Sequence, residues 1–169
     1  MLGICRSRRV YILKGAVFLI CLFLLLPKAN AMPWGRVSDG IIITDHNSPA
    51  LCVPRSALTG LTVDIAYIAD ARNKINKNWV LRVKQGGKPV FLTPGQYLSY
   101  AFVSSEYEKK EWGVSFELEK KYFFSIDSLQ QPKTRLEVFS YSAFFCPKRS
   151  SSGRITYMQV GRRNVDTCE

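Results

Sequence analysis

Trp112, Val114, Phe116 and Leu118 alternate with Gly113, Ser115, Glu117 and Glu119. A side-chain period of two sets one group against a dry layer and the other in water, which is the geometry of a β-strand. Leu61, Val63, Ile65 and Tyr67 repeat the pattern against Thr62, Asp64 and Ala66, and Leu98, Tyr100 and Phe102 repeat it against Ser99 and Ala101. Further strands, rich in β-branched or aromatic residues, are expected at Gly40 to Thr44, Trp79 to Lys84, Lys88 to Leu92, Tyr122 to Ile126, Arg135 to Phe145 and Arg154 to Val160. Turn chemistry separates them: Gln85-Gly86-Gly87 for a hairpin, Thr93-Pro94-Gly95-Gln96 for a type II turn, and Ser150-Ser151-Ser152-Gly153 before the last strand. The best helical candidate, Ala69 to Lys77, carries Asn73 and Asn76 and reads as a polar loop. The expected fold class is all-β, an antiparallel two-sheet β-sandwich, immunoglobulin-like in general build; a small closed barrel is the second choice.

The N-terminus does not belong to that fold. Arg6, Arg8, Arg9 and Lys14 precede an apolar run, Gly15 to Leu26, and the small-residue site Ala29-Asn30-Ala31 follows. This is the pattern of a signal peptide over residues 1–31, with a run too short for the roughly 20 residues a membrane span needs. The working chain is expected to start at Met32 as one domain over 32–169, in the periplasm or secreted. An uncleaved anchor is the alternative. Cys21 sits inside the run, behind Leu19 and Ile20, which is not the setting of a lipidation cysteine.

Removal of the leader takes five of the 24 basic residues and none of the 13 acidic ones, so 19 − 13 leaves a net charge of +6. That excess favours anionic partners without choosing among them. Cys52, Cys146 and Cys168 remain, an odd number in an oxidising compartment. Cys146 with Cys168 is the preferred disulfide, because it tethers a polar C-terminal tail, and Cys52 with Cys146 competes with it.

Catalytic patterns are weak. The single histidine, His46, lies in Thr44-Asp45-His46-Asn47-Ser48 and reads as a solvent-facing side chain. Zinc would need three or four ligands, and no His or Cys pair has ligand spacing. Gly86-Gly87-Lys88 fits neither a P-loop nor a dinucleotide fingerprint. Glu106, Glu108, Glu111, Glu117 and Glu119 are interleaved with Lys109, Lys110, Lys120 and Lys121, as on a wet strand face. A non-enzymatic protein without metal or cofactor is expected; an envelope enzyme using His46 is the outlying alternative. The doublets Phe123-Phe124 and Phe144-Phe145 cannot both point inward from a regular strand, so one ring of each faces elsewhere. Phe145, Lys148, Arg149 and Arg154 are therefore the expected partner-binding residues, an aromatic beside a basic, serine-rich loop. The partner is expected to be a protein and not nucleic acid.

The order of pieces carries a resemblance: a leader, Ala50-Leu51-Cys52-Val53-Pro54, a central strand, then Gly87-Lys88-Pro89-Val90-Phe91-Leu92-Thr93-Pro94-Gly95-Gln96 and an aromatic strand. Over residues 36–145 this resembles the small periplasmic proteins of enteric bacteria classed as type VI secretion immunity lipoproteins. The resemblance implies an exported all-β binder that protects its cell by occluding a toxin effector. The chain departs from that family in lacking a lipidation cysteine and in having Tyr97 where a second cysteine often follows the Pro-Gly-Gln turn, so Cys52 has no partner on that strand. A chaperone or accessory subunit for surface fibres, which exposes strand edges to its clients, is the alternative function.

Overall fold

The computed structural model describes residues 36–72, 77–111, 115–130, 137–163 and 168. The expected signal peptide, like Trp112 and Val114, lies outside them. Among the described residues the chain is all-β, with twelve strands and no helix.

The largest sheet is built on β11 (Val138–Arg149). One edge of β11 pairs with β10 (Tyr122–Asp127), followed outward by β5 (Ile65–Asp70), β6 (Lys77–Val83) and β9 (Tyr107–Glu111). Its other edge is shared: β1 (Arg36–Asp39) runs parallel to the start of β11, and β12 (Ile155–Val160) pairs antiparallel with its end. A three-stranded sheet of β2 (Ile41–Asp45), β3 (Ser48–Cys52) and β8 (Tyr97–Ser99) packs over it, and β4 (Leu61–Val63) pairs with β7 (Val90–Leu92) beside them. The architecture is sandwich-like, as expected.

The core is what the alternation of each strand turns inward. Ile68, Trp79, Leu81, Tyr122, Phe124, Ile126, Tyr141 and Phe145 from the large sheet meet Ile42, Leu51, Val53 and Leu98 from the small one. Gly40 lets the chain cross between sheets, since a Cβ there would come within 2.6 Å of the Leu51 side chain. Side chains stitch the sheets where ladder bonds stop: Gln159 accepts from the Ile42 N–H at 3.0 Å and donates to the Gly40 carbonyl at 3.1 Å, and the Thr44 hydroxyl accepts from the Tyr157 N–H at 2.9 Å.

Local turn chemistry is followed closely. Gly95 has φ +90 and the Gln96 N–H donates to the Thr93 carbonyl at 3.0 Å, a type II turn. The Ser150–Gly153 loop joins β11 to β12, with Gly153 at φ +80. His46 and Asn47, at φ 45 and 64, form the turn between β2 and β3, whose twist matches a hairpin.

Several expectations are corrected. Ser115 to Leu118 form no strand, and β9 ends at Glu111. Leu98 to Phe102 is a strand only as far as Ser99. Leu61 and Val63 do point inward, but Ile65 and Tyr67 do not, because the inward face passes to Ala66 and Ile68. The cause is Asp64, whose backbone is held by Asp127 and Val83 and whose carboxylate accepts from the Leu129 N–H at 2.8 Å, breaking β4 from β5 and changing the phase. Ala69 and Asp70 belong to β5 and Lys77 opens β6, so both ends of the expected polar loop are strand; Asn73 and Asn76 lie outside the described residues. Gln85–Gly87 does turn, yet it joins no hairpin, since β6 pairs with β9 and β7 with β4.

Candidate interaction surface

Phe145 is not part of any surface. It is fully buried, stacked on Tyr122 at 5.6 Å and edge-on to Phe116 and Tyr157, both at 5.8 Å. The expectation that it serves as an exposed anchor is overturned by register: Phe145 lies opposite Tyr122, on the face that carries Phe124 and Tyr141 inward. The outward member of each doublet is the other ring, and Phe123 meets Phe144 at 5.1 Å on the far face.

Lys148, Arg149 and Arg154 are brought together by the end of β11 and the start of β12. Lys148 pairs with Thr156, and Arg149 with Ile155, across the hairpin. The Ser150 N–H donates to the Arg154 carbonyl at 2.8 Å and Gly153 N–H to the Ser150 carbonyl at 2.9 Å, closing a tight four-residue tip. Arg149 and Arg154 are exposed and meet no carboxylate among the described residues, while Lys148 lies 3.8 Å from Glu119.

The disulfide forms as preferred, between Cys146 and Cys168, and it sits at the root of this hairpin. Cys146 is fully buried and pairs with Met158, which is 48% exposed. On the opposite edge of β11 the Glu119 N–H donates to the Pro147 carbonyl at 3.0 Å. Glu119 holds φ at +60, an unfavourable region for a residue with a Cβ. Its neighbour Leu118 is 40% exposed. Lys120 bridges Glu117 at 2.9 Å and Asp70 at 3.2 Å, contacts that raise its ammonium pKa. Lys121 is buried: it donates to the Gly161 carbonyl at 2.7 Å over the Phe144 ring, and burial lowers its pKa. Leu118, Glu119 and Met158 were not expected here. Long-range contacts of Glu119 with Pro147, Lys148 and Cys168 place the first two, and a single methionine in a strand gives no sign of its exposure.

The remaining candidates do not assemble chemistry. His46 is 93% exposed, with Nδ1 at 2.8 Å from an Asp45 oxygen that also accepts from the Tyr97 hydroxyl at 3.3 Å. That hydrogen bond from His46 is the main reason the Asp45 carboxyl titrates below its ordinary value. The pair stands on a hairpin tip and not in a cleft. Cys52 keeps a free thiol, pushed up in pKa by burial. Among the described residues no three His, Cys, Asp or Glu side chains gather as metal ligands do. A depression of about 290 Å³ beside β4 is lined by Gly60, Leu61, Phe91, Val138 and Phe139 with Ser128 and Glu137 at its polar side, and His46 and Cys52 do not line it. Comparison with known protein families, curated proteins and solved structures finds no match to this chain.

Proposed function

We propose that this protein is exported and works by binding, as an immunity-type inhibitor that covers part of a toxin effector in the periplasm. The observation that carries the reading is the tip of the β11–β12 hairpin, where Arg149 and Arg154 stand exposed, without acidic partners among the described residues, on a backbone braced by a disulfide. Arginine is enriched among binding hot spots, and a rigid mount reduces the ordering cost of association. The leader pattern of residues 1–31 supports export, and the disulfide suits an oxidising compartment.

A fibre-assembly role has less support. Such a factor offers an open strand edge, whereas the outermost strand β9 carries Glu108, Lys109, Lys110 and Glu111, paired as Lys109–Glu111 at 2.5 Å and Lys110–Glu108 at 3.2 Å. Charges of this kind keep an edge from acquiring a further strand.

The test is a competition assay in the native host. A strain lacking the protein is expected to be killed by contact with its parent and to be rescued by the protein supplied from a plasmid. Equal survival of the deletion strain and the parent would remove the immunity reading.

A further inference from the structure

We infer that the corner formed by the Ser150–Gly153 hairpin tip and the turn at 117–121 is a docking site for a carboxylate-bearing protein surface with an apolar centre. The inference rests on the binding reading above and names the chemistry its partner presents.

Three observations converge on that corner. The first is charge. Elsewhere acids are engaged: Glu111 by Lys109, Glu108 by Lys110, and Asp39 by Arg162. At the corner Lys148 meets Glu119 at 3.8 Å and Lys120 meets Glu117 and Asp70, while Arg149 and Arg154 meet no carboxylate among the described residues, so their positive charge is left to an outside partner.

The second is composition. Leu118 and Met158 are both substantially exposed, and they flank β11 on its two edges, because Glu119 bonds to Pro147 on one side and β12 pairs on the other. Two strand spacings put those edges about 10 Å apart. Met158 shares one face of the hairpin with Lys148, and Arg149 lies on the other at the tip, so a partner that wraps the tip meets methionine and arginine, both enriched at protein interfaces.

The third is rigidity. Cys168, bonded to Cys146, packs against the Glu119 carbonyl, and the Glu119 N–H bonds to Pro147, so tail, turn and hairpin root are tied into one unit. The cost of ordering them is met on folding rather than on binding.

The same observations select a protein over other polyanions. A nucleic-acid backbone is met by a row of cations spaced along it, and an anionic membrane by a polybasic run or an apolar face. Here the cations crowd a convex tip. Such a tip fits a concave acidic surface.

The test uses the purified chain of residues 32–169 and amide chemical shifts. The probe is a synthetic peptide of alternating Glu and Leu; comparators are phosphatidylglycerol vesicles and a single-stranded oligonucleotide. The peptide is expected to shift the amides of residues 118–120, 148–156 and 158, with binding that weakens as salt is raised. Arg149→Glu with Arg154→Glu is expected to weaken it by about tenfold. Ser151→Glu, a milder change at the exposed tip, is expected to weaken it in the same direction if the double variant fails to fold. Shifts elsewhere, unchanged affinity in both variants, or tighter binding of vesicles or oligonucleotide would overturn the inference. Peptide binding at this corner in a protein that gives no protection against killing would support the docking site while removing the immunity reading.

Discussion

Replacing Phe145 by Ala separates a core ring from a surface anchor. The side chain is fully buried and touches three rings, Tyr122 at 5.6 Å and Phe116 and Tyr157 at 5.8 Å. Phe to Ala in a core costs about 3–5 kcal/mol. Aromatic pairs add roughly 0.5–1.5 kcal/mol each beyond the area they bury, so the upper part of that range, about 4–5 kcal/mol, is expected. A domain of this size holds about 5–15 kcal/mol in total, and the variant should therefore lose about a quarter of its stability or more. At about 3 °C per kcal/mol its melting temperature should fall by about 10–15 °C. Phe91, 57% exposed, is the control, and its change to Ala should cost less than about 1 kcal/mol. Circular dichroism melts and urea titrations of the three proteins, compared at equal m-value, make the measurement. A Phe145→Ala protein melting within about 3 °C of the parent would refute this packing and restore the ring to the surface.

Cys168→Ser opens a loop defined by a sequence separation of 22, which the loop-entropy relation values at about 3 kcal/mol; urea titration should show that loss, and an unchanged midpoint would contradict the tail's role. Cys52 faces Tyr97 across β3 and β8, and the Val53–Gln96 bond makes theirs the closer kind of cross-strand pair, with Cα atoms about 4.5 Å apart. Tyr97→Cys should therefore form a second disulfide. On the chain of residues 32–169, thiol counting by mass spectrometry should find no free thiol in that variant and one in the parent, whereas two would mean the register is wrong. Tyr100 is pushed up to about 12, chiefly by burial and then by Glu111, and Tyr67, Tyr107, Tyr122, Tyr141 and Tyr157 are raised by burial as well. The unfolded chain gives up these protons near pH 10 while the folded chain keeps them, so stability should fall as pH rises from 10 towards 12. Phenolate absorbance that appears without loss of fold near pH 10 for most tyrosines would contradict their burial.

How much was legible depended on how local the cause was. The turn at Thr93 to Gln96 and the hairpin at Ser150 to Gly153 are written in Pro, Gly and Ser, and both are found. β10 and β11 are written in their aromatic and β-branched residues. Arg36–Asp39 and Tyr107–Glu111 carried no alternation to reveal them; they are strands because a neighbour supplies a ladder, β11 for one and β6 for the other. Pro49 hid the start of Ser48–Cys52; it is tolerated in a strand that Asn47 and His46 turn back onto β2. The change of face at Asp64 depends on Asp127 and Leu129, more than sixty residues away in sequence, and no local pattern reports it. At the candidate site, Arg149 and Arg154 were legible because a hairpin loop must join them. Phe145 was not, since a doublet says that one ring faces out without saying which.

The most direct test of the account is survival under contact killing of a host whose only copy carries Arg149→Glu and Arg154→Glu, with abundance and melting temperature matched to the parent. Both side chains are solvent-exposed, so the fold should be retained. The account predicts loss of protection from an otherwise intact protein; protection equal to that of the parent would show that the corner is not where this protein acts.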